Sequence, residues 1–210
     1  MSQLRYLIPQ DFQRSEIEVK RSRFITSIAT AASPETALSF VARLKQEFPD
    51  ANHNCWAYLI GPPGSSDKIG LSDDGEPHGA AGKPMLTVLQ HSDIRDIVVV
   101  ITRYFGGIKL GKGGMVKAYT QAVQNGLEQL QTTEKVDWRE LRICFDYARL
   151  SMIERLLPDF EAEILEQHFT EQIELRLKIP AEQQDRLRLQ LTDLCAGKIH
   201  IVNQDLTAED

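Results

Sequence analysis

Ile97-Val98-Val99-Val100-Ile101-Thr102-Arg103-Tyr104-Phe105-Gly106-Gly107-Ile108-Lys109-Leu110-Gly111-Lys112-Gly113-Gly114 sets a β-branched run directly before a glycine-rich basic segment. The unbroken β-branched run Ile97–Ile101 predicts a strand buried on both faces, because a half-exposed strand would alternate. Gly106 to Gly114 predicts a loop. Val116, Tyr119, Val123, Leu127 and Leu130 then recur at helical spacing, the apolar stripe of an amphipathic helix. A turn between a buried strand and a helix start is where backbone amides can cradle an anion.

Gly106, four residues, then Gly111-Lys112 reproduces most of a P-loop. Gly113 stands where Ser or Thr should hold Mg²⁺, and no strand ending in an acidic metal ligand follows. A nucleoside triphosphatase is therefore disfavoured. Arg103 to Lys117 still carries four positive charges and no negative ones, the composition of an anion-binding surface, with Tyr104 and Phe105 available for stacking. The structural alternative is that the glycines only permit a tight left-handed path. Both readings stand open.

Upstream, Ser15–Val19 and Phe24–Ala29 read as short strands joined by Lys20-Arg21-Ser22-Arg23. Ser33 is a helix cap with Pro34 at the first helical position; Leu38, Val41, Leu44 and Phe48 follow at helical spacing, and Pro49 ends the helix. Asn54–Ile60 predicts a strand, and the Gly61 to Ser66 stretch a loop.

The acidic segment Ser72-Asp73-Asp74-Gly75-Glu76-Pro77-His78-Gly79-Ala80-Ala81-Gly82-Lys83-Pro84 has three carboxylates within four residues, which repel unless something compensates. As a metal or general-base site it would use Asp73, Asp74 and Glu76 as hard oxygen ligands. Typical Ca²⁺ sites need six or more oxygens and the EF-hand spacing is absent. A polar turn leading into a helix from about Ala80, with the acids near its positive end, is the favoured reading.

Downstream, Gln131 to Asp137 is polar and aperiodic, a candidate linker between domains 1–133 and 134–210. Leu141, Ile143, Phe145 and Tyr147 alternate as a strand; Leu150, Ile153, Leu156 and Leu157 make a short helix closed by Pro158. Strands follow around Ala162–Leu165 and through Ile173, Leu175, Leu177 and Ile179. Pro180 opens a helix carrying Leu187, Leu191 and Leu194; Gly197 stops it before a strand Ile199 to Val202. The order is β-α-β-β-α-β, the ferredoxin-like arrangement.

Composition agrees with two α+β domains. The 210 residues are 42% hydrophobic and 26% charged, globular values. No apolar run approaches bilayer length, and Met1 to Phe12 holds no signal-peptide h-region. Three widely spaced cysteines, two alternating with apolar neighbours on predicted strands, fit a reducing cytoplasm. Residues 1–133 hold 14 Lys+Arg against 13 Asp+Glu, a net +1, whereas 134–210 hold 10 against 17, a net −7, so the overall −6 comes from the second half. His53 and Cys55 would share a strand face. That pair, Cys55 with His78, and a Ser72–His78–Asp74 triad are the nucleophilic arrangements available; no GxSxG supports one, and structural roles are favoured.

Taken together, Lys20-Arg21-Ser22-Arg23-Phe24-Ile25, His53-Asn54-Cys55, Asp73-Asp74-Gly75-Glu76-Pro77, Gly79, Ala81-Gly82-Lys83-Pro84, Arg103 through Gly114, and Lys117-Ala118-Tyr119 resemble the IMPACT family in its two-domain bacterial form. Ala80 stands where that family usually has Thr, and His78 where a small residue is common. The resemblance implies an N-terminal β-α sandwich like those of ribosomal proteins and the tip domain of elongation factor G, and a C-terminal domain like that factor's ferredoxin-like modules. Eukaryotic relatives regulate translation through an additional N-terminal domain that this sequence lacks.

The expectation is then a cytoplasmic, translation-associated protein that binds RNA or the ribosome. Lys20, Arg21, Arg23, Arg103, Lys109, Lys112 and Lys117 would contact phosphate, Tyr104 would stack, and the amides of Gly111, Lys112, Gly113 and Gly114 would assist. Two alternatives stay open. One is a hydrolase or metal-dependent enzyme of unknown substrate with a pocket of His53, Asp73, Asp74 and Glu76. The other is an adaptor whose acidic C-terminal domain docks a basic, translation-related protein. No catalytic residue, cofactor, metal ligand or membrane partner is assigned.

Overall fold

The computed structural model describes residues 5–63 and 68–204. The loop expected from Gly61 is described as far as Pro63; Gly64, Ser65 and Ser66 lie outside the described residues. The chain divides into two compact units, Met1–Lys135 and Val136–Asp210. Each has its own core.

In the first unit the strands are β1 (Arg5–Pro9), β2 (Gln13–Val19), β3 (Ser22–Thr30), β4 (His53–Leu59), β5 (Ile69–Ser72), β6 (Ile97–Tyr104) and β7 (Thr132–Val136). The helices are α1 (Pro34–Glu47), α2 (Gly82–Gln90) and α3 (Gly111–Glu128). Five strands form an antiparallel sheet in the order β2-β3-β6-β4-β5, and β1 pairs with β7 separately. Central β6 is buried on both faces. Ile97, Val99 and Ile101 pack with Met85, Leu89, Tyr119 and Val123 of α2 and α3, while Val98 and Val100 meet Phe40, Val41 and Leu44 of α1.

Ser33 and Thr36 form a reciprocal capping box: Thr36 N donates to Ser33 Oγ at 3.2 Å, and Ser33 N to Thr36 Oγ1 at 3.1 Å. Asp96 anchors the sheet's far end. It is buried and accepts from Gly61 N at 2.8 Å, Tyr6 Oη at 3.0 Å and Lys135 Nζ at 2.5 Å. Burial works against the Lys135 charge, but its bonds to Asp96 and Tyr6 outweigh this and raise its pKa.

Several expectations need correction. Gln131 to Asp137 is not irregular, since Thr132–Val136 is β7, and the chain divides within this stretch, after Lys135. Cross-strand bonding to β1 fixes this segment, which sequence periodicity does not report. The glycine segment is a loop only to Leu110, since Gly111 begins α3. Leu38 is exposed on α1; Ala37 and Phe40 complete the buried stripe instead. β6 runs on to Tyr104, which turns Arg103 inward.

The second unit is β8 (Trp138–Phe145), α4 (Leu150–Leu156), β9 (Glu163–Phe169), β10 (Ile173–Pro180), α5 (Ala181–Leu194) and β11 (His200–Gln204). Its sheet order β11-β8-β10-β9, all antiparallel, is the ferredoxin-like fold. Leu141, Ile143, Phe145, Ile173, Leu175, Leu177 and Ile179 bury one face with Leu187 and Leu191 of α5. The other face carries ion pairs, including Arg176 with Glu166 at 2.8 Å and Arg142 with Glu174 at 3.1 Å. Cys144 is on that face and only half-buried, while Cys55 and Cys195 are buried.

Candidate functional site

The site lies where β6 ends and α3 begins. The β2–β3 hairpin closes through a two-residue turn, Lys20-Arg21, between the paired Val19 and Ser22. Both turn residues are left-handed, at φ 49° and 64°. A two-residue hairpin matched to strand twist requires this, and it ordinarily selects Asn or Gly. Gly106 approaches this turn so closely that a Cβ there would fall 2.0 Å from the Arg21 carbonyl carbon and oxygen. Gly106 N also donates to Ser22 Oγ at 3.2 Å. The two basic segments of the sequence are thus in direct contact.

Lys20, Arg21, Lys109, Lys112 and Lys117 are all exposed, and none forms an ion pair with another described residue. The first turn of α3, Gly111-Lys112-Gly113-Gly114, contains no acid, and Leu110 before it offers no side-chain cap. Phe105 is 48% exposed, its N–H held by Asn52 Oδ1 at 2.7 Å.

Three expected contacts are otherwise engaged. Arg23 forms a bidentate pair with Glu16 at 2.8 and 3.0 Å and lies over the Tyr104 ring. Tyr104 Oη donates to Asp50 at 2.9 Å. Arg103 is buried against Phe24 and paired with Glu76, because its register puts it on the α3 side of the sheet.

The acidic segment meets this region through Glu76. Glu76 Oε1 accepts from Arg103 Nη1 and, at 2.9 Å, from the hydroxyl of buried Tyr119. His53 donates from Nδ1 to the Asp74 carbonyl oxygen at 2.8 Å, and its Nε2 lies 3.9 Å from Glu76 Oε2. A cavity of about 420 Å³ opens here, lined by His53, Glu76, Arg103, Phe105, Lys109 and Leu110 among others.

Asp73 and Asp74 turn elsewhere. Asp73 receives the backbone amides of Gly79 at 2.8 Å, Ala81 at 3.0 Å and Gly82 at 2.9 Å, tying the turn to the start of α2. Asp74 receives Lys45 Nζ at 2.5 Å and Asn54 N at 2.7 Å. Burial opposes both charges, yet these donors prevail and hold both carboxyls below the usual range.

His53 and Cys55 do share a face. Cys55 is fully buried, with Sγ 3.0 Å from the Asp73 carbonyl oxygen and 3.3 Å from Tyr119 Oη. Burial pushes its thiol up to about 12, unsuited to nucleophilic attack near neutrality. His78 is fully exposed and 3.8 Å from Asp73 Oδ2, and Ser72 Oγ instead accepts from Asp74 N at 3.1 Å. Among the described residues no group of three or more His, Cys, Asp or Glu is arranged to hold a metal, and no helix is long and apolar enough to cross a membrane.

Sequence reasoning missed Tyr119 and Asn52. Tyr119 reads as one more member of an apolar stripe. Its hydroxyl was the available signal, since a buried tyrosine needs a polar partner.

Residues 20–127 match the family described as the Impact N-terminal domain, and residues 143–198 one described as a domain of unknown function, DUF1949. An IMPACT family member from Haemophilus influenzae is 41% identical over 93% of this chain and 95% of its own. The IMPACT family member YigZ of Escherichia coli is 40% identical over 88% and 91%. A solved structure titled a hypothetical protein aligns with a TM-score of 0.66 at 38% identity, covering 98% of this chain and 99% of that one. With both segments matched and such relatives aligned along most of its length, the chain belongs to the IMPACT family.

Proposed function

We propose that the first unit binds RNA on the ribosome through phosphate contacts, and that this is how the protein acts in translation. The observation that carries the reading is the contact between Gly106 and the Lys20-Arg21 turn, which makes two distant basic segments one surface. Lys20, Arg21, Lys109, Lys112 and Lys117 supply exposed cations there that form no ion pair with another described residue. The uncapped amides at the start of α3 supply donors, and their dipole favours an anion.

The hairpin adds support. Asn or Gly would occupy left-handed φ at less cost than Lys and Arg, by roughly 1 kcal/mol per residue. Charge at a position that disfavours it fits a binding role better than a stabilising one.

Because phosphate binding releases counterions, affinity should fall steeply with salt. Purified protein is sedimented with ribosomes across a salt series, beside the Lys109→Ala/Lys112→Ala variant. Salt-sensitive binding that the variant loses is expected. Binding by the variant equal to wild type would refute the surface.

A further inference from the structure

In the lining of the 420 Å³ cavity, His53 and Glu76 bring Nε2 and Oε2 within 3.9 Å of each other, with no donor from another described residue between them. A carbonyl oxygen can only accept, so the 2.8 Å contact to Asp74 O requires a proton on His53 Nδ1, and in that tautomer Nε2 is a lone-pair acceptor. Glu76 Oε2 lies 3.9 Å away. Oε1 takes both Arg103 and Tyr119, while Oε2 has no donor among the described residues, although the side chain is only 3% exposed. An acceptor that faces a cavity loses its water when a ligand fills the space, so the arrangement suits an incoming group that brings hydrogens.

One nitrogen bearing two hydrogens, at ordinary bond lengths of about 2.9 Å to each acceptor, fits a gap of this width. The charges select its kind. Arg103 and Glu76 offset one another and Lys109 also lines the cavity, leaving the walls net positive. An alkylammonium would be repelled; a neutral amine carried on an anionic molecule would not. Phe105, half-exposed and with its backbone N–H held by Asn52, offers a ring against which a planar group can stack.

We infer that this cavity takes the base of a nucleotide bearing an exocyclic amine, with the amine between His53 Nε2 and Glu76 Oε2, the base against Phe105 and the phosphate at Lys109. The inference deepens the RNA reading and shares Lys109 with it, but the amine contact is separate. Uracil has no such amine and would turn carbonyl oxygens toward the two acceptors. Discrimination against it should be about tenfold or more, since polar groups left unpaired penalise the wrong ligand.

The test is an NMR titration of the full chain with AMP, CMP, GMP and UMP, following the amides around residues 103–115. It is repeated with His53→Ala, which removes one acceptor, and with Phe105→Ala, which removes the exposed ring. Amine-bearing nucleotides should shift these resonances at lower concentration than UMP, His53→Ala should erase the difference, and Phe105→Ala should weaken them all. Equal binding of UMP, or no shift with any nucleotide at millimolar concentration, would overturn the inference and leave the gap to solvent.

Decamers of adenylate and uridylate separate the two sources. Tighter binding of the adenylate decamer than of AMP identifies an unstacked RNA base, and the reverse order identifies a free nucleotide. Equal binding of UMP beside salt-sensitive ribosome sedimentation of the wild type would sink this inference while the phosphate surface stands, and ribosome binding by Lys109→Ala/Lys112→Ala equal to wild type, with base discrimination intact, would sink the surface and leave this inference standing.

Discussion

Glu76 holds Arg103 on the inner face of the sheet, its Oε1 receiving both the Arg103 guanidinium and the Tyr119 hydroxyl. Both charged side chains are largely sealed from solvent, at 3% and 7% exposure. Removing one partner leaves the other charge buried and alone. Glu76→Ala should cost about 3–5 kcal/mol of stability. The double variant Glu76→Gln/Arg103→Met should be the milder change. Urea denaturation measures both, and a double variant less stable than Glu76→Ala would contradict this account of the pair.

Asp73 organises the turn before α2 by accepting three backbone amides. Asp73→Ala strands all three and should destabilise the first unit by roughly 2 kcal/mol. Trp56 fluorescence in a Trp138→Phe background would report this, and a loss below about 0.5 kcal/mol, the scatter of neutral surface changes, would refute the role.

The same carboxyl gives a pH dependence with a definite sign. The folded pKa values of Asp73 and Asp74 lie below the unfolded value, so the stability they contribute is complete above the unfolded pKa. It is lost as pH falls through the folded values, a decline starting near pH 5 and steepening below about pH 4. Asp73→Asn should flatten the curve. Identical acid sensitivity in wild type and variant would exclude Asp73 as a source.

Glycines in one short stretch should respond in opposite ways. Gly106→Ala drives a Cβ into the Arg21 backbone, which a side-chain rotation cannot relieve, whereas Gly113 has open space around it. Gly106→Ala should lower the melting temperature and disturb the hairpin. Gly113→Ala should be neutral or stabilising by roughly 0.5–1 kcal/mol, as for Gly to Ala within helices. Thermal melts of the two variants distinguish a packing glycine from a dispensable one.

The contrast shows what a sequence reveals and what it hides. Ile97–Ile101 announced a doubly buried strand because β-branched residues occupy every position, and the C-terminal alternation of Ile173, Leu175, Leu177 and Ile179 announced a half-buried one. β1, β5 and β7 left no comparable trace: each is four or five residues long, and pairing rather than periodicity holds it. In the candidate site, the basic residues were visible as composition, but which of them stay unpaired was not. Arg103 and Arg23 differ from Lys109 only through Glu76 and Glu16, brought in from elsewhere in the fold. The Tyr119–Glu76 bond joins residues 43 positions apart, and local pattern does not encode such a pairing.

The hairpin turn offers a direct trade between stability and binding. Lys20→Asn/Arg21→Gly places residues suited to left-handed φ at both turn positions and should stabilise the first unit by roughly 2 kcal/mol, while weakening RNA binding. Denaturation and binding measured on one preparation check both halves, and unchanged affinity would remove the turn from the surface.

The most direct test of the central claim is the salt dependence of binding to a labelled ribosomal RNA fragment, read by fluorescence anisotropy for wild type, Lys20→Ala/Arg21→Ala and Lys109→Ala/Lys112→Ala. If the two segments form one phosphate-binding surface, each double variant should weaken binding and reduce the slope of log K against log salt by about 1 to 2. Slopes and affinities unchanged in both variants would contradict the account and take RNA binding away from this end of the sheet.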